Sequence, residues 1–195
     1  MDESVRRLRD PQELRVLAHP VRLRLLQVLY ERGASTATEV AERIGESPAN
    51  CSWHLRQLAK YGFAEETGEG KGRQRPWRAA GPALHWGDSD DPPETASAGY
   101  ELSMMILERE FDALRAWLAW RPTDPPEWQD AGGFSQGAAW VTVEELAAID
   151  AEITDIVMRY RDRLHDPAKR PEGARRIRML AWAIPAEPLT DRGGS

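Results

Sequence analysis

Apolar residues in the first third of the chain recur at three- and four-residue intervals. Leu14, Leu17, Val21, Leu25, Val28 and Leu29 would share one face of successive helices. Punctuation sets the ends of these helices. Asp10-Pro11-Gln12-Glu13 supplies an N-cap, a proline at the first helical position and an acid at N3, and this helix runs to about His19. Pro20 opens a second helix ending near Gly33. Thr36-Ala37-Thr38-Glu39 has the form of a capping box for a short third helix, with Val40 and Ile44 inward and Gly45 as its stop. Ser47-Pro48 begins a fourth helix that continues to Tyr61 and is closed by Gly62.

Beyond Gly62 the helical period is lost. FAEET and RQRPWRAA flank the Gly-rich GEGKG, which predicts a β-hairpin with Pro76 on an edge. GPALHWGDSDDPPETAS then reads as a polar linker. Two long amphipathic stripes follow. Met104, Leu107, Phe111, Leu114 and Leu118 alternate three and four apart on a helix over about 100–120. Leu146, Ile149, Ile153, Ile156 and Tyr160 do the same over 143–164, behind the capping box Thr142-Val143-Glu144-Glu145. A Trp- and Pro-containing loop lies between them, and FSQGAAWVT and RRIRMLAWAIP read as short strands. The expected fold is mainly α with small β: a winged helix-turn-helix over 1–80, a linker over 81–99, a helical dimerisation region with a few short strands over 100–187, and a disordered tail over 188–195.

Helices three and four carry the chemistry. A short helix, a three-residue turn (Gly45-Glu46-Ser47) and a longer helix have the proportions of a helix-turn-helix. In the fourth helix Cys51, Leu55 and Leu58 fall at i, i+4 and i+7 and face inward. That rotation turns Ala49, Asn50, Ser52, Trp53, Arg56, Gln57 and Lys60 outward. Such a set suits a major groove: small residues permit close approach, Asn50 and Gln57 can pair with adenine, and Arg56 with guanine or phosphate. Ser47 sits at the helix start, where phosphate contacts gather. Lys71, Arg73, Arg75 and Arg78 on the hairpin would lie along neighbouring phosphates. His54 reads as a packed or hydrogen-bonded helix residue, and Cys51 as a small core residue.

These pieces, in order, resemble the ArsR-type winged helix-turn-helix regulators. The resemblance rests on LAHPVRLRLLQVL, on TEVAERIGESPANCSWHLRQLAKYGFAEE with its Ser52, His54, Leu55 and Leu58 pattern, and on GKGRQRPWRAA, and it covers about residues 10–80. It implies a recognition helix over 48–61, a wing over 63–79, and a dimeric regulator, most often a repressor, that reads an inverted-repeat double-stranded DNA operator. The metal sensors of that family use paired cysteines or acid and histidine sets. Here Cys51 is alone, and His19, His54, His85 and His165 lack ligand spacing, so neither metal nor cofactor is expected. The stripe Met104, Leu107, Phe111, Leu114 and Leu118 reads as the homodimer interface, since a two-fold operator is best read by a two-fold dimer. The 143–164 stripe fits either a dimer partner or a local core.

Composition and motifs narrow the reading further. Residues 1–80 hold 14 basic and 11 acidic side chains, a net of +3, whereas the remainder holds 12 and 21, a net of −9. An anionic partner would therefore meet the head. Six of the eight tryptophans lie beyond residue 80. They fit either a core between helices and strands or an apolar effector pocket walled by Met104, Met105, Trp117, Trp120, Trp128 and Trp140. There is no P-loop, GxGxxG, GxSxG or HExxH, so no enzyme is expected. The absence of a secretory h-region or a spanning stretch predicts a cytoplasmic protein with no membrane partner. The net acidity keeps a second reading open, a winged-helix protein–protein module without specific DNA binding.

Overall fold

The computed structural model describes residues 5–68, 75–81 and 83–185. Lys71, Arg73, most of the GEGKG turn and the 188–195 tail lie outside these residues.

The head is built from β1 (Val5–Arg7), α1 (Pro11–Leu17), α2 (Pro20–Arg32), α3 (Ala37–Ile44), α4 (Pro48–Lys60), β2 (Ala64–Glu66) and β3 (Trp77–Ala79). Each of its four helix starts is fixed locally, at the predicted caps Asp10, Thr36 and Ser47 and, ahead of the predicted Pro20, at His19, which the sequence did not mark as a cap. Asp10 accepts from the Gln12 N–H, the His19 imidazole from Val21, Thr36 from Glu39 and Ser47 from Asn50, with Glu39 returning the bond to Thr36. Caps on short helices matter because helices of 7–13 residues are marginal alone and are held by packing. That packing is supplied by one apolar core containing Leu14, Leu17, Leu25, Leu29, Val40 and Leu55. β2 and β3 pair antiparallel, with Ala64 opposite Ala79, Glu65 opposite Arg78 and Glu66 opposite Trp77. Ser35 adds a bridge on the far side of Trp77 through two backbone bonds of 2.9 and 2.8 Å.

Three expectations are corrected here. The segment 81–99 is not a linker: β4 (Ala83–His85) pairs parallel with β1, a strand the hydrophobic pattern did not mark. Arg7 and Arg9 then hold Asp88, and Arg9 also holds Asp90, which clamps the acidic loop to the chain's first strand. The long helix α5 (Pro93–Trp120) begins seven residues before Tyr100, and its first turns pack on α1 through Thr95, Ala98, Gly99 and Leu102. Gly99 lies under Trp86, where a Cβ would sit a tight 3.3 Å from the indole ring.

The second correction concerns strands. FSQGAAWVT and RRIRMLAWAIP are unpaired, because neither meets an open sheet edge that could satisfy a ladder. The last segment is tied instead by side chains: Arg175 to Asp124, Arg176 to Glu31 and Arg178 to Glu110. Thirdly, the Trp- and Pro-containing loop holds a 3-10 turn (Arg121–Thr123) and α6 (Pro126–Ala131). The 143–164 helix is divided into α7 (Val143–Met158) and α8 (Asp162–His165). Its predicted capping box at Thr142 and Glu145 is formed.

Among the described residues no helix is long and apolar enough to cross a membrane.

Candidate nucleic-acid interface

The turn between α3 and α4 is fixed by a left-handed glycine and four hydrogen bonds. Gly45 ends α3 in the left-handed conformation, at φ 71°, which a side chain would disfavour. The Glu46 N–H then bonds back to Ala41 O at 3.1 Å. From α2, Arg24 donates to Ile44 O and to the Glu46 carboxylate, both at 3.0 Å, and Glu46 in turn accepts from Asn50 Nδ2 at 3.0 Å. The chain Arg24–Glu46–Asn50 sets the angle of α4 on the head. Sequence reasoning missed Arg24 and Glu46, because their pairing spans 22 positions and no local period marks it.

The core side of α4 is Cys51, His54, Leu55 and Leu58, all buried. Burial raises the Cys51 thiol's pKa, with the Glu46 charge adding to it, as expected of an inert core cysteine. His54 is only 4% exposed, and its Nδ1 accepts from Arg22 Nε at 3.3 Å. The His19 ring lies 4.6 Å away, with its own Nδ1 accepting from the Val21 N–H at 3.2 Å. Both imidazoles use Nδ1 as an acceptor, which assigns the proton of each neutral ring to Nε2. Burial, followed by the neighbouring His19 and Arg22 charges, lowers the pKa of His54, with Glu46 opposing. Burial also lowers that of His19, with Arg22 adding to it.

The opposite side of α4 presents the predicted set. Trp53 is 50% exposed and meets the His54 ring edge-on at 4.7 Å, so the outward indole is braced from below. Arg56 and Lys60 are exposed, while Ser52, Asn50 and Gln57 are half-buried. Several of these groups are engaged with one another. Arg56 donates to Ser52 Oγ at 3.0 Å, Lys60 lies over the Tyr61 ring, and Ser47 Oγ is occupied as the cap. Asn50 is committed to Glu46 through one amide donor, which leaves its carbonyl oxygen for a base.

The hairpin β2–β3 stands beside the end of α4. Its arginines face acids on the opposite strand, Arg78 to Glu65 at 2.6 Å and Arg75 to Glu66 at 3.2 Å. These are exposed pairs worth about 0–1 kcal/mol each, so a phosphate can replace the carboxylate at little cost. The two described wing arginines are thus charge-matched on the hairpin's own surface.

The six residues suggested as walls of an apolar pocket do not converge. Trp117, Phe134 and Trp128 are neighbours around Gly132. Met105, however, lies twelve residues up the same helix from Trp117, about 18 Å along its axis. Trp140 is fully exposed.

Comparison with known proteins agrees with this geometry. Residues 17–67 match the family model of a helix-turn-helix domain, spanning α2, α3, α4 and β2. No curated protein matches the chain. The fold and this match define an N-terminal helix-turn-helix domain with a helical C-terminal region. They support a DNA-binding transcriptional regulator.

Proposed function

We propose that the protein is a homodimeric transcriptional repressor of the ArsR type, acting in the cytoplasm on an inverted-repeat operator by binding alone, without catalysis or metal sensing. The observation that carries the reading is α4. One of its sides is locked into the core by Cys51, Leu55 and Leu58, and the other offers Ser52, Trp53, Arg56, Gln57 and Lys60. In this docking α4 enters the major groove, Arg56 leaves Ser52 for a base edge, and Arg75 and Arg78 exchange their glutamates for phosphates, with Lys71 and Arg73 on the same hairpin. Met104, Leu107, Phe111, Leu114 and Leu118 on α5 join the two copies. Release by an apolar effector forms no part of this reading.

A second reading has a specific observation behind it. The pairing of Arg75 and Arg78 with Glu66 and Glu65 leaves the wing close to neutral, which suits a protein–protein module. Fluorescence anisotropy on duplex DNA from upstream of the protein's own gene, against a scrambled duplex at two salt concentrations, separates the two. The regulator reading expects Arg56→Ala to lose about 1–3 kcal/mol of discrimination. It expects Arg75→Ala to weaken both duplexes alike and to reduce the salt slope by about one. Equal binding of both duplexes, unmoved by either substitution, overturns it in favour of the protein–protein module.

A further inference from the structure

A second cationic feature lies away from the recognition helix. Glu31 and Arg32 at the end of α2, Arg43 in the last turn of α3, and Arg176 and Arg178 of the C-terminal segment line one surface pocket of about 410 Å³. The size suits a small ligand rather than a single ion. Four guanidinium groups against one carboxylate give its lining a net charge of +3. Salt bridges neutralise it only in part. Arg176 contacts Glu31, and Arg178 reaches Glu110 behind the wall through a single nitrogen, at 3.0 and 2.9 Å to its two oxygens. Glu110 is shared with Arg109. Arg32 and Arg43 have no ion pair among the described residues. Like charges from three separate segments of chain therefore line one pocket, and a lining of one sign favours an anion.

We infer that this pocket binds a small, multiply charged anion of the phosphate class, held by Arg32, Arg43, Arg176 and Arg178. Guanidinium is the group for such a ligand: planar, permanently charged and able to offer paired donors to adjacent oxygens. A phosphoryl group carries enough charge and enough oxygens to engage all four side chains, where a monocarboxylate would serve one or two. Burial lowers the pKa of Arg176, the Arg178 and Arg109 charges add to that, and Glu31 and Glu110 oppose it. The site joins the helix-turn-helix, through α2 and α3, to the chain's last described segment. A bound anion pins residues 176–178 against the head. The inference stands on the pocket and does not depend on the reading of α4.

The test uses the full chain and inorganic pyrophosphate, with sodium chloride at matched ionic strength as control. Thermal unfolding of the wild-type protein is expected to shift upward saturably with pyrophosphate and not with chloride. Arg43→Gln and Arg32→Gln, at exposed positions without ion pairs, leave the fold intact and weaken the apparent affinity about tenfold. Arg176→Gln, which also breaks the ion pair to Glu31, weakens the apparent affinity likewise, and Arg115→Gln, on α5 and outside the pocket, leaves it unchanged. The anion could be a free ligand or a backbone phosphate of duplex DNA, and anisotropy of Arg43→Gln on duplex separates them. Duplex affinity that falls with Arg43→Gln, with DNA displaced by pyrophosphate, assigns the site to the backbone. Unchanged duplex affinity with lost pyrophosphate binding assigns it to a free ligand. The inference is overturned if chloride reproduces the shift, or if neither the pyrophosphate response nor duplex affinity changes in Arg32→Gln and Arg43→Gln.

Discussion

The two halves of this chain solve the burial problem differently. In the head, short helices that could not persist alone converge on one apolar cluster, and every fully buried large side chain of the described residues belongs to this cluster. The last of them is Leu102, three turns into α5. Beyond Leu102 no described residue is buried, although apolar residues are plentiful. Phe111, Leu118, Phe134, Trp140, Ile156 and Trp182 all stand substantially in solvent. Amphipathic periodicity is equally clear in both halves. The difference lies in whether a single chain provides the opposing surface. The head closes on itself, whereas the second half leaves large apolar side chains exposed, and in the proposed function another copy covers them.

The largest effect that would sharpen this contrast is in the head. Leu55→Ala removes a fully buried side chain from the centre of α4 and is expected to cost about 2–5 kcal/mol in chemical denaturation. That is a large share of the stability of a domain this size. It should abolish cooperative unfolding of the head or halve its midpoint. A loss below 1 kcal/mol would mean that the core is looser than its packing indicates.

The matching change in the second half should act on assembly instead. Phe111→Glu and Leu118→Glu alter side chains that are 41% and 46% exposed in the single chain, so the head's circular dichroism should be unchanged. Sedimentation velocity should show a dimer becoming a monomer. A dimer that survives both substitutions would move the interface away from this stripe, and the contrast between the halves would need another cause.

Legibility in the sequence divides along the same line. Pro11, Pro20 and Pro48, with their caps, gave the head's helices to within a residue or two, because capping is a local interaction. The inward set of α4 followed from its spacing. What escaped was non-local. β1 and β4 are three residues each and pair across nearly eighty positions, and Arg24 and Glu46 meet across 22. FSQGAAWVT and RRIRMLAWAIP have strand composition, but strands exist only where another edge is available. The six residues of the suggested apolar pocket do not converge, because Met105 and Trp117 lie twelve residues apart on one helix and Trp140 is exposed. The arginine-lined pocket was illegible because Arg43 and Arg176 are brought together by tertiary structure alone.

A pH series probes how tightly the head holds α4. The pKa values of His54 and His19 are lowered from the ordinary 6.5, first by burial and then by neighbouring positive charge. The unfolded chain therefore takes up protons that the folded head refuses. Stability is complete above about pH 6.5 and is lost as pH falls from there toward the lowered values. Protonation of His54 Nδ1 would also break its bond from Arg22 and place two cations together. Thermal midpoints between pH 5 and 7.5 should fall on the acid side, and less steeply in His54→Gln. Identical slopes in the two proteins would remove His54 from the account.

The smallest expected effect is also the most direct comparison of the halves, because the same device occurs in each. Thr36 and Thr142 both form complete capping boxes, with Glu39 and Glu145 as reciprocal partners. Replacement of either threonine by alanine should cost about 1 kcal/mol locally. The two losses should be felt differently. α3 is sealed into the core by Val40 and Ala41, so Thr36→Ala should lower the global unfolding free energy by nearly the full amount. α7 buries no described side chain in the single chain, so its opening is expected to be separable from that of the head. Thr142→Ala should therefore leave the head's unfolding unchanged and raise amide exchange in 143–158 alone. Equal global losses from the two substitutions would show that the second half unfolds with the head, and that its exposed apolar faces are already committed to the same cooperative unit.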